Sequence, residues 1–107
     1  MTELDPHVHQ PTRLRILMLL SGVESADFVF LLTTLGLTKG NLSSHMSRLE
    51  QAGYVEVAKS FDGKIPHTSY RLTARGRSSL NGYWRAIDEI RRSAGRATAP
   101  PQSPGQA

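Results

Sequence analysis

Between Thr38 and Gly53 the chain specifies a short helix at both ends and on both faces. The Thr38 hydroxyl is placed to accept a free backbone N–H of the first turn. Leu37 and Leu42 occupy the two places of a hydrophobic staple. Gly53 stops the helix. Leu42, Met46 and Leu49 recur at helical spacing and define a face turned to a core. A helical wheel puts Gly40, Ser43, Ser44, Ser47 and Gln51 on the far side, with Arg48 at its edge. Serine forms helices less well than Ala, Glu or Lys. Three serines on one face of a well-ended helix therefore mark that face for something other than helix stability.

The flanking segments read as follows. A first helix is expected from about Pro11 to Ser21, with proline in the first turn and Gly22 behind it. Leu14, Ile16, Leu17, Met18, Leu19 and Leu20 cover most of its circumference, so it needs cover on more than one side. A short helix lies between Asp27 and Leu35, ended by Gly36; Phe28, Leu31, Leu32 and Leu35 share one face, and Val29 and Phe30 do not fit it. After the central helix, Tyr54–Ala58 and Ser69–Leu72 alternate in the sense of strands. Between them Asp62-Gly63 signals a turn and Pro66 blocks regular pairing, giving a hairpin with a basic tip at Lys64 and His67. Thr73 caps a last helix from about Ala74 to Arg92. Its apolar stripe is Leu80, Tyr83, Trp84 and Ile87, and Gly76 and Gly82 each weaken it by about 1 kcal/mol relative to Ala. Residues 1–9 read as a flexible arm, 10–92 as the folded domain and 93–107 as a disordered tail.

The order is helix, short helix, Gly-containing turn, helix, hairpin, helix. That is an α+β, mainly helical class: a winged helix-turn-helix with a three-helix core, a hairpin wing and a C-terminal helix. A helix fits the major groove of duplex DNA. Its outward face then needs small or polar side chains, which Gly40, Ser43, Ser44 and Ser47 supply. Asn41 and Arg48 add donors for bases or phosphates. Thr38, Lys39 and the free N–H groups at the helix start favour a phosphate. Lys64 and His67 on the wing reach the backbone or an adjacent groove. Charge agrees by its placement: 13 Lys and Arg oppose 9 Asp and Glu, a net +4, and the stretch 38–77 carries the equivalent of all of it. Arg75 and Arg77 oppose the dipole of the last helix, a placement that hints at phosphate contact.

Other chemistry finds little support. There is no cysteine, hence no disulfide or thiolate site. His7-Val8-His9 is too sparse for a metal, and no metal or cofactor is read. No phosphate-binding or nucleophile-elbow motif is present, so the chain does not read as an enzyme. The apolar runs Ile16–Leu20 and Phe28–Leu32 fall far short of the roughly 20 residues of a membrane span, the N-terminus lacks signal-peptide character, and a cytoplasmic protein is expected. His45 reads as a packed histidine, and Tyr83 and Trp84 as core or dimer contacts.

The run Leu35-Gly36-Leu37-Thr38-Lys39-Gly40-Asn41-Leu42-Ser43-Ser44-His45-Met46-Ser47-Arg48-Leu49-Glu50-Gln51-Ala52-Gly53-Tyr54-Val55 resembles the recognition-helix signature of small winged-helix transcriptional regulators related to the MarR and ArsR groups. Tyr70 to Arg77 resembles their third strand and the start of their last helix, and Pro11 to Leu17 their first helix. The resemblance implies a homodimer joined through its terminal helices, recognition helices in successive major grooves, and release of DNA on binding an effector; the chain reads as a repressor from a prokaryote. Leu14, Met18, Leu80, Tyr83, Trp84 and Ile87 are the interface residues on this reading. A small-molecule effector is compatible with the resemblance, but no feature of the sequence supports one. The rival reading is a winged-helix protein-interaction module without direct DNA readout, which Val29 and Phe30 would suit.

Overall fold

A computed structural model of the chain describes residues 3–98. Helix α1 spans Pro11–Ser21, a two-residue strand β1 Ala26–Asp27, α2 Phe28–Leu35, α3 Lys39–Gln51, β2 Val55–Asp62, β3 Ile65–Leu72 and α4 Ala74–Thr98. Each of the first three helices is capped by its own sequence. The Gln10 side chain accepts from Arg13 N at 2.7 Å, Asp27 from Phe30 N at 2.7 Å, and Thr38 from Asn41 N at 3.1 Å. Gly36, at φ 65, turns the chain out of α2 in a left-handed conformation that disfavours any residue with a Cβ. Only one residue, Leu37, then separates this glycine from the Thr38 cap. The tight turn fixes α3 against α2.

Ile16, Leu17, Leu20, Leu31, Leu42, Met46 and Leu49 are fully buried where the three helices meet. The sheet lies beside them in the order β1-β3-β2, all antiparallel. Val55 and Tyr70 close the core from the sheet, and Leu80 and Tyr83 close it from α4. The staple forms as expected, with Leu42 buried and Leu37 packed against the core.

Four expectations are corrected. Residues 3–9 are not a loose arm: Val8 is completely buried, Leu4 packs on the core, and His9 Nδ1 lies 3.0 Å from the Tyr83 hydroxyl. One buried valine within a polar segment leaves no periodicity to read. The wing is longer than expected, because β2 and β3 pair down to Asp62 opposite Ile65 and leave only Gly63 and Lys64 in the turn. Gly63 has φ 64, and among the described residues none other than glycine has positive φ, so Lys64 does not, the pattern of a type II′ hairpin. Pro66 does not interrupt pairing. It sits opposite Phe61, one step from the closing pair, where ladder bonds alternate and its nitrogen turns away from β2. On that outer side β1 reaches only Ser69 and Tyr70, so no ladder bond is lost. The last helix continues past Arg92 to Thr98, which removes residues 93–98 from the expected tail; 99–107 lie outside the described residues. Strand β1 itself was not expected.

The start of α4 is tied to the junction of α3 and β2. Thr73 N donates to Tyr54 O at 3.0 Å, the Thr73 hydroxyl donates to Gly53 O at 2.6 Å, and that hydroxyl accepts from Gly76 N at 2.9 Å. Tyr54 is the hub of this corner. Its hydroxyl donates to the Asp5 carboxylate, His7 meets its ring edge-on at 5.9 Å, and the Arg75 guanidinium lies 6.0 Å from the ring centre.

Candidate nucleic-acid interface

The buried stripe Leu42, Met46, Leu49 fixes the rotation of α3 about its axis. The opposite side is therefore set as well. Thr38, Lys39, Gly40, Asn41, Ser43, Ser44, Ser47 and Arg48 are all exposed, and so is Gln51. The centre of this face from Gly40 through Ser44 to Ser47 carries no side chain larger than serine, with Gln51 only at the C-terminal end, so a flat or convex partner can approach the helix backbone closely there. No Cβ would meet another atom within 4 Å at Gly40, so that glycine is set by no packing within the chain. The acidic residue of the helix, Glu50, lies on the flank next to Ser43 rather than among Ser44, Ser47 and Arg48.

Cations flank this surface. Among the described residues Lys39 and Arg48 form no ion pair. His45 is half-buried, with Nδ1 3.3 Å from Arg13 Nη1. Burial, then the charges of Arg13 and Arg48, hold its imidazole below the usual histidine range. From the sequence His45 reads only as a packed histidine, and Arg13 carries no signal. Nothing local joins two residues 32 positions apart.

The wing projects Lys59, Lys64 and His67 as exposed side chains. His67 Nε2 lies 3.9 Å from the Asp62 carboxylate, so it is shared with an acid, whereas Lys64 forms no ion pair among the described residues. Phe61 and Ile65 at the tip are 74% and 63% exposed, which the sequence reading did not single out. Arg71 pairs with Glu56 at 2.7 Å on the sheet. Arg75 is engaged by Tyr54, and Arg77 reaches the Ser21 carbonyl at 3.4 Å. These contacts give Arg75 and Arg77 a structural reason for their unfavourable place at the helix start.

The interface candidates divide. Met18 and Trp84 are 48% and 38% exposed, while Leu14 and Ile87 are partly buried. Leu80 and Tyr83 are buried within the chain at 4% and 7% exposure and offer little surface to a second molecule. Ile90, 40% exposed, extends the stripe three residues beyond Ile87 and was not anticipated.

A three-helix core, a helix-turn-helix with a small polar outer face and a two-stranded wing define a winged helix. Residues 12–90 match the family described as the winged helix DNA-binding domain, and the chain belongs to that family. An uncharacterized protein of Methanocaldococcus jannaschii is 39% identical over 71 residues, 66% of this chain and 77% of that protein. Among solved structures, a transcriptional regulator homologue from Pyrococcus horikoshii is 27% identical with a TM-score of 0.76, over 82% of this chain and 87% of that one. A PadR-family transcriptional regulator from Eggerthella lenta shares the fold at 23% identity and a TM-score of 0.64, over 83% and 86% of the two chains.

Proposed function

We propose that the chain is a sequence-specific duplex-DNA-binding transcriptional regulator that works as a homodimer and represses by occupying its operator. The observation that carries the reading is the outer face of α3: serines and glycine in the middle, Lys39, Asn41 and Arg48 around them, all exposed. Such a face admits the floor of the major groove, and its cations meet the phosphates that line it. The family match and the regulators among the structural neighbours support the same reading.

In this reading Ser43, Ser44 and Ser47 approach base edges, with Gly40 allowing close approach of the backbone. Thr38, Lys39, Asn41 and Arg48 hold the sugar-phosphate chain or an adjacent base, and Lys64 and His67 brace the wing. Dimerisation draws on Met18, Trp84, Ile87 and Ile90 of the neighbouring helices α1 and α4, with Leu14, Leu80 and Tyr83 as support behind them. Two recognition helices then stand about 34 Å apart, one turn of duplex, and the operator is an inverted repeat. A protein seated on two successive grooves excludes others from the same DNA, which is the basis for reading repression. The setting is the cytoplasm of a prokaryote; among the described residues no helix is long and apolar enough to cross a membrane.

Selection of genomic fragments on the purified protein, followed by titration at several salt concentrations, tests the proposal. Affinity falls with a log–log slope of about −0.9 per phosphate contacted, and Arg48→Glu abolishes binding without unfolding the protein. A folded protein with no salt-sensitive affinity for any duplex would leave the protein-interaction reading. That alternative has its own support in Val29 and Phe30, 67% and 48% exposed on α2.

A further inference from the structure

Arg13 is held in place before any ligand arrives. Its Nε donates to His7 O at 2.8 Å and its Nη2 to Pro6 O at 3.2 Å. Its Nη1 lies 3.3 Å from His45 Nδ1. A guanidinium only donates, so His45 Nδ1 accepts, and the imidazole proton resides on Nε2. Three of the five guanidinium N–H groups are used, and two remain. Arg48 stands one turn along α3 from His45, and its charge adds to burial in lowering the pKa of both Arg13 and His45.

Three cationic or donor groups thus converge from two helices. Among the described residues no carboxylate forms an ion pair with Arg13 or Arg48. Asp5, in the same N-terminal segment, is taken by the Tyr54 hydroxyl, by the His7 backbone N–H at 2.8 Å and by the His7 ring at 3.4 Å. Assembling like charges without an acid is unfavourable, and an anion reverses the sign of that interaction. Arg13 and His45 lie on the flank of α3 that borders Asn41 and Arg48, at the edge of the reading face. A planar fork and a ring N–H suit the tetrahedral oxygens of a phosphate.

We propose that Arg13, His45 and Arg48 form one anion site that takes a backbone phosphate of duplex DNA flanking the bases read by α3. The inference rests on the DNA-binding reading and adds α1, through Arg13, to the protein's footprint. It gives the docked N-terminal segment a purpose, because the carbonyls of Pro6 and His7 aim the guanidinium.

The test compares the salt dependence of duplex binding for the wild type, Arg13→Gln and Arg13→Lys. Arg13→Gln loses one phosphate contact per protomer, two in the dimer, which lowers the slope by about 1.8 and the affinity at 0.1 M salt by about tenfold per protomer, while Arg13→Lys keeps the wild-type slope. If Arg13 only props the N-terminal segment, both variants bind more weakly and neither changes slope, and the proposal fails. A readout on the wild type removes dependence on the variants' folding: the Arg13 Nε and His45 imidazole nitrogen resonances shift on saturation with duplex. No shift in a saturated complex overturns the site. Inorganic phosphate alone is the remaining arm. If it moves the same resonances at sub-millimolar concentration, the site serves a free anion and the backbone assignment is wrong. If the wild type binds no duplex at all, the DNA reading and this site fall together; wild-type binding with an unchanged slope in Arg13→Gln removes this site alone.

Discussion

A Cβ built on Gly76 would lie 2.2 Å from the Tyr54 carbonyl oxygen and 2.9 Å from its carbonyl carbon. The first turn of α4 is pressed against the backbone that leaves α3, and only a residue without a side chain permits that approach. From propensity alone Gly76 and Gly82 are equal blemishes. In the structure they are opposites, since the nearest atom to a Cβ at Gly82 is the Arg85 guanidinium at 3.8 Å. Gly76→Ala is expected to destabilise by about 1–3 kcal/mol through overpacking, despite its better helix propensity. Gly82→Ala gains up to about 1 kcal/mol. Urea melts of the two variants read opposite signs; the same sign for both would refute the close approach.

The docked N-terminal segment carries its own expectation. Val8 is fully buried, and Val8→Ala removes two methyl groups from a packed site at a cost of about 2 kcal/mol. A loose arm would make that substitution silent. Chemical denaturation separates the two outcomes, and protection of the Val8 and His9 amides from exchange gives an independent check, because both donate to Asp5 O, at 3.1 and 2.7 Å.

Two groups make stability depend on pH in separate windows. Burial, then the charges of Arg13 and Arg48, depress His45 in the fold. The unfolded chain therefore protonates first, near pH 6.5, and stability is lost as pH falls from there through the lower folded value. Asp5 behaves differently. Burial pushes its carboxyl up, but the Tyr54 hydroxyl, the His7 N–H and the His7 charge together outweigh that and lower it. Its contribution is intact above the unfolded value of about 3.9 and disappears as pH falls through the folded one. Melting temperatures of His45→Gln should decline less than wild type from about pH 7.5 to about pH 5.5. Tyr54→Phe should flatten the acid limb instead. If His45→Gln follows the wild-type curve over that range, the imidazole is not desolvated by α1.

What sequence could reveal follows from the range of each interaction. The boundaries of α1 and α3 and the turn between α2 and α3 are set by residues within four positions of one another: Gln10 with Arg13, Asp27 with Phe30, Thr38 with Asn41. The outer face of α3 was readable for the same reason, since Leu42, Met46 and Leu49 determine it. The failures are long-range. β1 is two residues whose identity as a strand depends on Ser69 and Tyr70. Pro66 is harmless only because of its register opposite Phe61. Val8, Gly76 and the contact between Arg13 and His45 depend on partners distant in sequence. Composition alone ends the last helix near Arg92, although the spacing Leu80, Tyr83, Ile87, Ile90 continues unbroken.

That spacing carries the last expectation. Steps of three, four and three residues keep one stripe aligned as in a coiled-coil seam, and α4 runs for 25 residues, about 37 Å. Leu80 and Tyr83 spend their part of the stripe on the core of their own chain, while Ile90 is 40% and the adjacent Trp84 38% exposed. An apolar seam that begins buried and continues onto an exposed segment suits a second copy of the same helix, and a two-fold dimer satisfies both seams at once. Ile90→Asp places a charge in that seam without touching the monomer core. Sedimentation at micromolar concentration should show a dimer for the wild type and a monomer for Ile90→Asp. Its duplex affinity should fall by about a hundredfold as the second half-site is lost. Val29→Asp is the control, because Val29 is 67% exposed on α2 and lies off the seam. It should leave both sedimentation and DNA binding unchanged. A monomeric wild type, or dissociation by Val29→Asp in place of Ile90→Asp, would move the interface away from α4 and with it the expected one-turn spacing of the operator half-sites.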